Sequence, residues 1–94
     1  YTVKAGRAAE NERYIEEVFA ELARIAPAGV QYSAFKLEDG VTFVHVYAHE
    51  SDDDAGLLPT LPAFQAFRAG LNDRCEVAPV RTPLHEVGSY AVNV

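Results

Sequence analysis

The spacing of apolar residues changes several times along the chain, and each spacing predicts a different element. Residues 1–5 alternate between apolar and polar side chains, which is typical of a short β-strand. From Ala8 onward, apolar residues recur at helical spacing, and Pro27 and Gly29 end that pattern. The first part of the chain therefore predicts a strand followed by an amphipathic helix.

The middle of the chain predicts a β-hairpin. Two β-rich runs, residues 30–37 and 41–49, flank the dipeptide Asp39-Gly40. Asp-Gly favours a two-residue type I′ turn, because both central residues of that turn have positive φ. A shift of one residue in the pairing would move every side chain to the other face of the hairpin. The cross-strand pairs that this turn predicts are Tyr32 with Tyr47, Ala34 with His45, and Phe35 with Val44.

The last part of the chain predicts a loop, a second helix and a final strand. Residues 50–59 form an acidic loop, and Thr60 is the predicted N-cap of a helix that carries Pro62 in its first turn and ends near residues 72–74. Pro79 and Pro83 disfavour a central strand, so the final strand is predicted over residues 85–92. The order β-α-β-β-α-β predicts an α+β domain over residues 1–94, with a ferredoxin-like antiparallel sheet and both helices on one face.

Apart from Lys36 and His49 near the strand ends, both faces of the predicted hairpin lack the charges that a sheet open to water carries. The two helices can cover only one of these faces, so we expect a second copy of the chain to cover the other in a symmetric dimer. One face carries Phe35, Leu37, Val44, Val46 and Ala48. The other carries Val30, Tyr32, Ala34, Phe43, His45 and Tyr47.

Composition narrows the class of protein and of partner. With 94 residues, 49% of them hydrophobic, the chain predicts one small globular domain. A net charge of -6 disfavours nucleic acid and anionic membranes as partners. The single cysteine, Cys75, allows no internal disulfide, and no signal peptide or membrane-spanning apolar run is visible. These features predict a soluble, cytoplasmic protein.

The element order, the strand "FVHVY" at residues 43–47 and the helix "LPAFQAF" at residues 61–67 resemble the dimeric α+β barrel superfamily, and within it the antibiotic biosynthesis monooxygenase-like branch. The terminal "VGSY", residues 87–90, fits the last strand of such proteins. The resemblance implies a homodimer with a cavity between sheet and helices, and oxidation of phenolic or quinol-type substrates without a cofactor. Haem-degrading relatives use a Trp and a His where this chain has Tyr47 and Arg68, so no haem is expected.

His45 is the candidate catalytic residue, either as a general base or as a hydrogen-bonding partner of a phenolic ligand. The alternative is a structural histidine bonded to backbone or water. His45 and His49 lie about 13 Å apart along one strand, so they cannot bind the same metal ion, and we expect no metal site. The residues predicted to line a pocket for a small aromatic or apolar ligand are Tyr32, Ala34, Phe43, Tyr47, Phe64, Phe67 and Arg68. A dimeric module without catalytic activity remains the alternative function.

Overall fold

The computed structural model describes residues 1–50 and 56–90 of the chain. It contains a short 3-10 turn, Leu58–Thr60. The strands are β1 (Thr2–Val3), β2 (Val30–Lys36), β3 (Phe43–His49) and β4 (Cys75–Val77). The helices are α1 (Ala8–Ile25), α2 (Pro62–Ala69) and α3 (Leu71–Arg74).

Helix α1 confirms the amphipathic pattern predicted from Ala8. Val18 is buried against the core, and Tyr14, Ile15 and Leu22 pack beside it. The helix ends where Ala26 adopts a left-handed φ of 44°, and the Ala26 amide donates to the Leu22 carbonyl. Since Pro27 follows directly, the chain cannot continue the helix.

The predicted register of the hairpin is confirmed, but the predicted turn type is wrong. Tyr32 pairs with Tyr47 and Ala34 with His45. The amide of Leu37 donates to the carbonyl of Thr42, so four residues, not two, form the loop. The Asp39 carboxylate accepts the amides of Val41 and Thr42, which holds this wider loop, and of the central dipeptide only Gly40 has positive φ.

The four strands form two antiparallel pairs, β1 with β4 and β2 with β3. A single bridge between Thr2 and Thr42 links the two pairs. Beside it, the amide of Phe43 donates to the carbonyl of Tyr1 and the amide of Val3 to the carbonyl of Val41. The chain is therefore a small α+β fold in which β1 lies against the start of β3.

Two predictions for the second helix are corrected. Thr60 is not the N-cap: its hydroxyl donates to the Leu57 carbonyl within the preceding turn, and Leu61 precedes the helix instead. The predicted single helix is divided at Gly70 into α2 and α3. Pro62 does occupy the first turn of α2, as predicted. The predicted loop over residues 50–59 lies partly outside the described residues and ends in the 3-10 turn.

The final strand is not where the sequence predicted it. β4 covers Cys75–Val77, and residues 85–90 are neither helix nor strand. β1 offers only two residues for pairing, Cys75 and Val77 occupy them, and Pro79 and Pro83 beyond them have no amide hydrogen to donate. Residues 91 and 92 of the predicted strand lie outside the described residues.

The helices cover the face of the hairpin that carries Tyr32, His45 and Tyr47. Phe43, on this face, is buried, and the ring of Phe67 from α2 stacks on His45. On the opposite face Phe35 is 57% exposed and Val44 is 45% exposed. We call this second side, formed by Gln31, Ser33, Phe35, Val44, Val46 and Ala48, the open face.

Candidate functional site

The candidate residues separate into two places. Tyr32, Ala34, Phe43, His45 and Tyr47 share the helix-facing side of the hairpin, and Phe67 meets them from α2. Phe64 and Arg68 line a surface cleft beside α2, where the Phe64 ring also contacts that of Phe67 at 6.0 Å between centroids. The structure therefore brings six of the predicted residues together and places two elsewhere.

His45 lies in a hydrogen-bonded chain between two tyrosines. Its Nδ1 is 2.6 Å from Tyr32 Oη, and its Nε2 is 2.8 Å from Tyr1 Oη. The Asn11 amide donates to Tyr1 Oη at 2.9 Å. Neighbouring elements supply these groups: β2 and β3 hold Tyr32 and His45, and α1 holds Asn11.

The series of hydrogen bonds continues through Asn11 to a buried arginine, Arg74. Arg74 Nε donates to Asn11 Oδ1 at 3.2 Å, and Nη2 donates to the Phe67 carbonyl at 2.8 Å. The guanidinium lies 4.5 Å from the ring centre of Tyr14. Arg74 is 1% exposed, and among the described residues no carboxylate forms an ion pair with it. Oxygen acceptors and an aromatic face therefore compensate the buried charge.

Gly70 makes room for this arginine. A Cβ at position 70 would lie 3.1 Å from Arg74 Nη1, which is tighter than ordinary van der Waals contact. The break between α2 and α3 therefore falls at a residue whose missing side chain leaves space for the guanidinium.

Aromatic rings enclose the polar chain. Three stacked pairs place an apolar ring against each of its rings: His45 with Phe67 at 5.4 Å, Tyr1 with Phe43 at 5.6 Å, and Tyr32 with Phe19 at 5.2 Å between centroids. The predicted cross-strand pair of Tyr32 and Tyr47 is present in an edge-to-face arrangement at 6.1 Å.

Burial favours the neutral forms of the three central groups, Tyr1, Tyr32 and His45. It lowers the pKa of His45 to about 4, with a smaller effect from the positive amino group of Tyr1. Burial raises the pKa of Tyr1 to about 12, although the Asn11 hydrogen bond opposes the rise. It also raises the pKa of Tyr32. His45 therefore has one donor and one acceptor nitrogen.

The hydrogen-bond directions then leave one hydroxyl hydrogen to spare. In one tautomer of His45, Tyr1 donates to Nε2 and Nδ1 donates to Tyr32, so the Tyr32 hydrogen is not used within the network. In the other, Tyr32 donates to Nδ1 and Nε2 donates to Tyr1 Oη, which also accepts from Asn11, so the Tyr1 hydrogen is not used. In either tautomer the network can offer the unused hydrogen to a ligand oxygen.

Two surface clefts lie beside this core. One, of about 320 Å³, is lined by Pro59, Phe64, Gln65, Arg68 and Ala69. The other, of about 350 Å³, lies at the end of the hairpin and is lined by Gly29, Val30, Gln31, Ala48, His49, Glu50 and Glu86. His45 and Tyr47 line neither of these two clefts.

Sequence reasoning missed Tyr1, Asn11 and Arg74. Two of them had a visible signal. Asn11 lies on the apolar stripe of α1, at helical spacing from Tyr14 and Val18, and Arg74 continues the stripe of Phe67 and Leu71. A polar residue on a buried stripe needs a partner inside the protein. Tyr1 carries no such signal.

Among the described residues, no group of three or more His, Cys, Asp or Glu side chains could hold a metal ion. In the same part of the chain, none of the helices combines the length and apolar character needed to span a membrane. Comparison of the chain with protein-family models, curated proteins and solved structures gives no match.

Proposed function

We propose that this chain is a cytoplasmic, homodimeric small-molecule-binding protein of the dimeric α+β barrel type. It binds a phenolic or quinol-type ligand beside His45 and oxidises that ligand with O₂ without a cofactor. The observation that supports this proposal best is the neutral chain of Tyr32, His45 and Tyr1, enclosed by aromatic rings.

The strand contacts support the ferredoxin-like part of the proposal. β4 pairs with β1 and β3 with β2, and the Thr2–Thr42 bridge sets β1 beside β3. Together these contacts give the order β4-β1-β3-β2, all antiparallel, which we propose to be one continuous ferredoxin-like sheet.

The open face supports the dimer. None of its six side chains carries a formal charge, although the whole chain has a net charge of -6. Depletion of charge is typical of the central part of a protein interface. The chain also exposes 6782 Å², roughly 1,400 Å² more than a compact monomer of this mass is expected to expose. A second copy packed on the open face would remove part of this excess from water.

The site suits a planar ligand that carries a hydroxyl or carbonyl oxygen. Aromatic side chains offer flat apolar contact, and the network of Tyr1, His45 and Tyr32 has one hydroxyl hydrogen that none of its own members accepts. Because Tyr1, His45 and Tyr32 are all neutral, a neutral ligand can bind beside them without separating an ion pair.

The low pKa of His45 restricts the chemistry. An ordinary phenol has a pKa of about 10, so proton transfer to a His45 whose pKa is about 4 costs roughly 8 kcal/mol. In the proposed reaction the substrate is therefore a phenol acidified by its own ring system. One oxygen atom of O₂ enters the ring carbon para to the hydroxyl, the other leaves as water, and the phenol becomes a quinone.

The second candidate is a dimeric module that binds a ligand or protein without catalysis. Two observations favour it: both ring nitrogens of His45 already have hydrogen-bond partners, and His45 lines neither surface cleft. In that case the hydrogen-bonded network of Tyr1, His45 and Tyr32 serves only to satisfy the buried polar groups of the core.

Binding and oxygen uptake distinguish the candidates. A panel of polycyclic phenols and quinols is titrated anaerobically, and O₂ consumption is then measured, for the wild type and for His45→Gln and Tyr32→Phe. His49→Gln, on the same strand, is the control. Uptake lost in the first two variants and kept in the control supports the enzyme. Binding without uptake favours the second candidate, and a folded protein that binds no member of the panel contradicts the ligand proposal.

A further inference from the structure

We propose that Arg74 and Asn11 are positioning residues that select one tautomer of His45. In that tautomer the ring hydrogen is on Nδ1, and the hydroxyl hydrogen of Tyr32 is left for a ligand oxygen. The inference rests on the proposed ligand site and specifies which group of that site binds the ligand. It also gives a role to the buried arginine, which takes no part in the proposed reaction.

The arginine determines which way the Asn11 side chain faces. A guanidinium only donates hydrogen bonds, so the Asn11 atom that lies 3.2 Å from Arg74 Nε is the carbonyl oxygen. The amide nitrogen of Asn11 then faces Tyr1 and donates to Oη at 2.9 Å. Because Asn11 is 0% exposed and Arg74 is 1% exposed, a reversed amide would set two buried donors against each other. The direction of these two hydrogen bonds is therefore fixed.

The positive charge of Arg74 favours Tyr1 as a donor to His45. Among the described residues no carboxylate forms an ion pair with Arg74. Burial raises the pKa of Tyr1, whereas the Asn11 hydrogen bond and the charge of Arg74 act in the opposite direction. A hydroxyl oxygen gains negative charge when the hydroxyl donates and loses it when the oxygen accepts. Near this cation the donating arrangement is therefore favoured, and Tyr1 donates to Nε2.

The other directions in the network follow from this donor. When Tyr1 donates to Nε2 of His45, 2.8 Å away, the neutral ring has its hydrogen on Nδ1. Nδ1 then donates to Tyr32 Oη at 2.6 Å. All four hydrogen bonds between Arg74 and Tyr32 now have the same direction, and bonds in such a series polarise and strengthen one another. In the other tautomer the series is broken, because Tyr1 accepts from both sides.

The selected tautomer determines where the ligand oxygen is bound. Tyr32 Oη accepts from His45 and has no other hydrogen-bond partner among the described residues. Its hydrogen is therefore the one that the network leaves unused. The Tyr32 ring stacks on Phe19 at 5.2 Å and meets Tyr47 edge-to-face at 6.1 Å between centroids. A hydrogen-bond acceptor at this hydroxyl therefore lies beside aromatic rings, which suits the hydroxyl or carbonyl oxygen of an aromatic ligand.

Nitrogen NMR of the histidine rings tests this selection without a ligand. At about pH 8 a histidine is neutral, and its protonated and unprotonated ring nitrogens give separate 15N signals. We expect the wild type to contain at least roughly tenfold more of the Nδ1–H form of His45 than of the Nε2–H form, which corresponds to the net contribution of about one hydrogen bond. His49 and His85 lie outside the network and serve as internal references.

Asn11→Asp is expected to reverse the preference. One carboxylate oxygen still accepts from Arg74, and the other can only accept from Tyr1, so the Tyr1 hydrogen is no longer available to the imidazole. Nε2 of His45 then donates to Tyr1, and we expect the Nε2–H form to predominate by roughly tenfold. Asn72→Asp, the same substitution at an exposed position, is the control and should keep the Nδ1–H form.

Two kinds of result would contradict this assignment. A wild type that holds the His45 hydrogen mainly on Nε2 overturns the selected tautomer, whether or not the variants fold. A folded Asn11→Asp protein that keeps the Nδ1–H form, or an equal reversal in Asn72→Asp, overturns the role of Asn11 and Arg74. Because these measurements use no ligand, the titration with phenols and quinols remains a separate test of the proposed function.

Discussion

The buried position of His45 makes the stability of the protein depend on pH in a defined range. In the unfolded chain a histidine binds a proton below pH 6.5, whereas in the folded protein His45 stays neutral until about pH 4. The unfolded state therefore binds more protons between these values, so the free energy of unfolding falls as the pH falls from 6.5 to about 4. Above pH 6.5 the contribution is complete.

The magnitude follows from the two pKa values. A decrease from 6.5 to about 4 corresponds to about 3 kcal/mol, and solvent that reaches the partly exposed ring reduces this to about 2 kcal/mol. Urea unfolding at fixed protein concentration is measured at about pH 7.5 and about pH 4.5 for the wild type, His45→Gln and His49→Gln. Equal losses of stability on acidification in the wild type and His45→Gln would refute the reasoning, because other titrating groups are common to both.

Two further substitutions test the network and the hairpin, each measured by urea unfolding. Arg74→Met leaves the Asn11 acceptor unsatisfied and is expected to lower the free energy of unfolding by about 2–4 kcal/mol. The control, Arg24→Met at an exposed site, should change it by less than about 0.5 kcal/mol. Similar effects of the two substitutions would contradict a stabilising role for the buried arginine. Gly40→Ala, at a φ of 77°, should lower the free energy of unfolding by about 1 kcal/mol. Gly88→Ala, at a glycine without a positive φ, is its control. No loss of stability in Gly40→Ala would contradict the turn geometry.

Local patterns predicted the elements whose residues are close in sequence. The register of the hairpin follows from alternation and a short loop, and α1 follows from its stripe between Ala8 and Pro27. The turn type was missed because the Asp39 side chain stabilises a wider loop. The last strand was missed because its position depends on β1, whose two residues pair with Cys75 and Val77.

In the candidate site, too, contacts between neighbouring strands were predicted and contacts between residues far apart in sequence were not. His45 and Tyr32 were placed together correctly because they lie on adjacent strands. Asn11 and Arg74 join them from elements far away in sequence, 63 residues apart from each other. Helical periodicity marks each of these two as a polar residue on a buried stripe, but no local pattern states which partner it meets. Tyr1 enters the site only because β1 lies beside the start of β3.

Histidine ring signals in NMR test most directly whether the chain of Tyr32, His45 and Tyr1 forms a ligand site. The protein has three histidines, so His49 and His85 serve as internal references. A dihydroxynaphthalene is titrated into the protein under nitrogen. We predict that the His45 ring signals shift to saturation while those of His49 and His85 stay in place. Unchanged His45 signals, or equal shifts of all three rings, would contradict the proposed site.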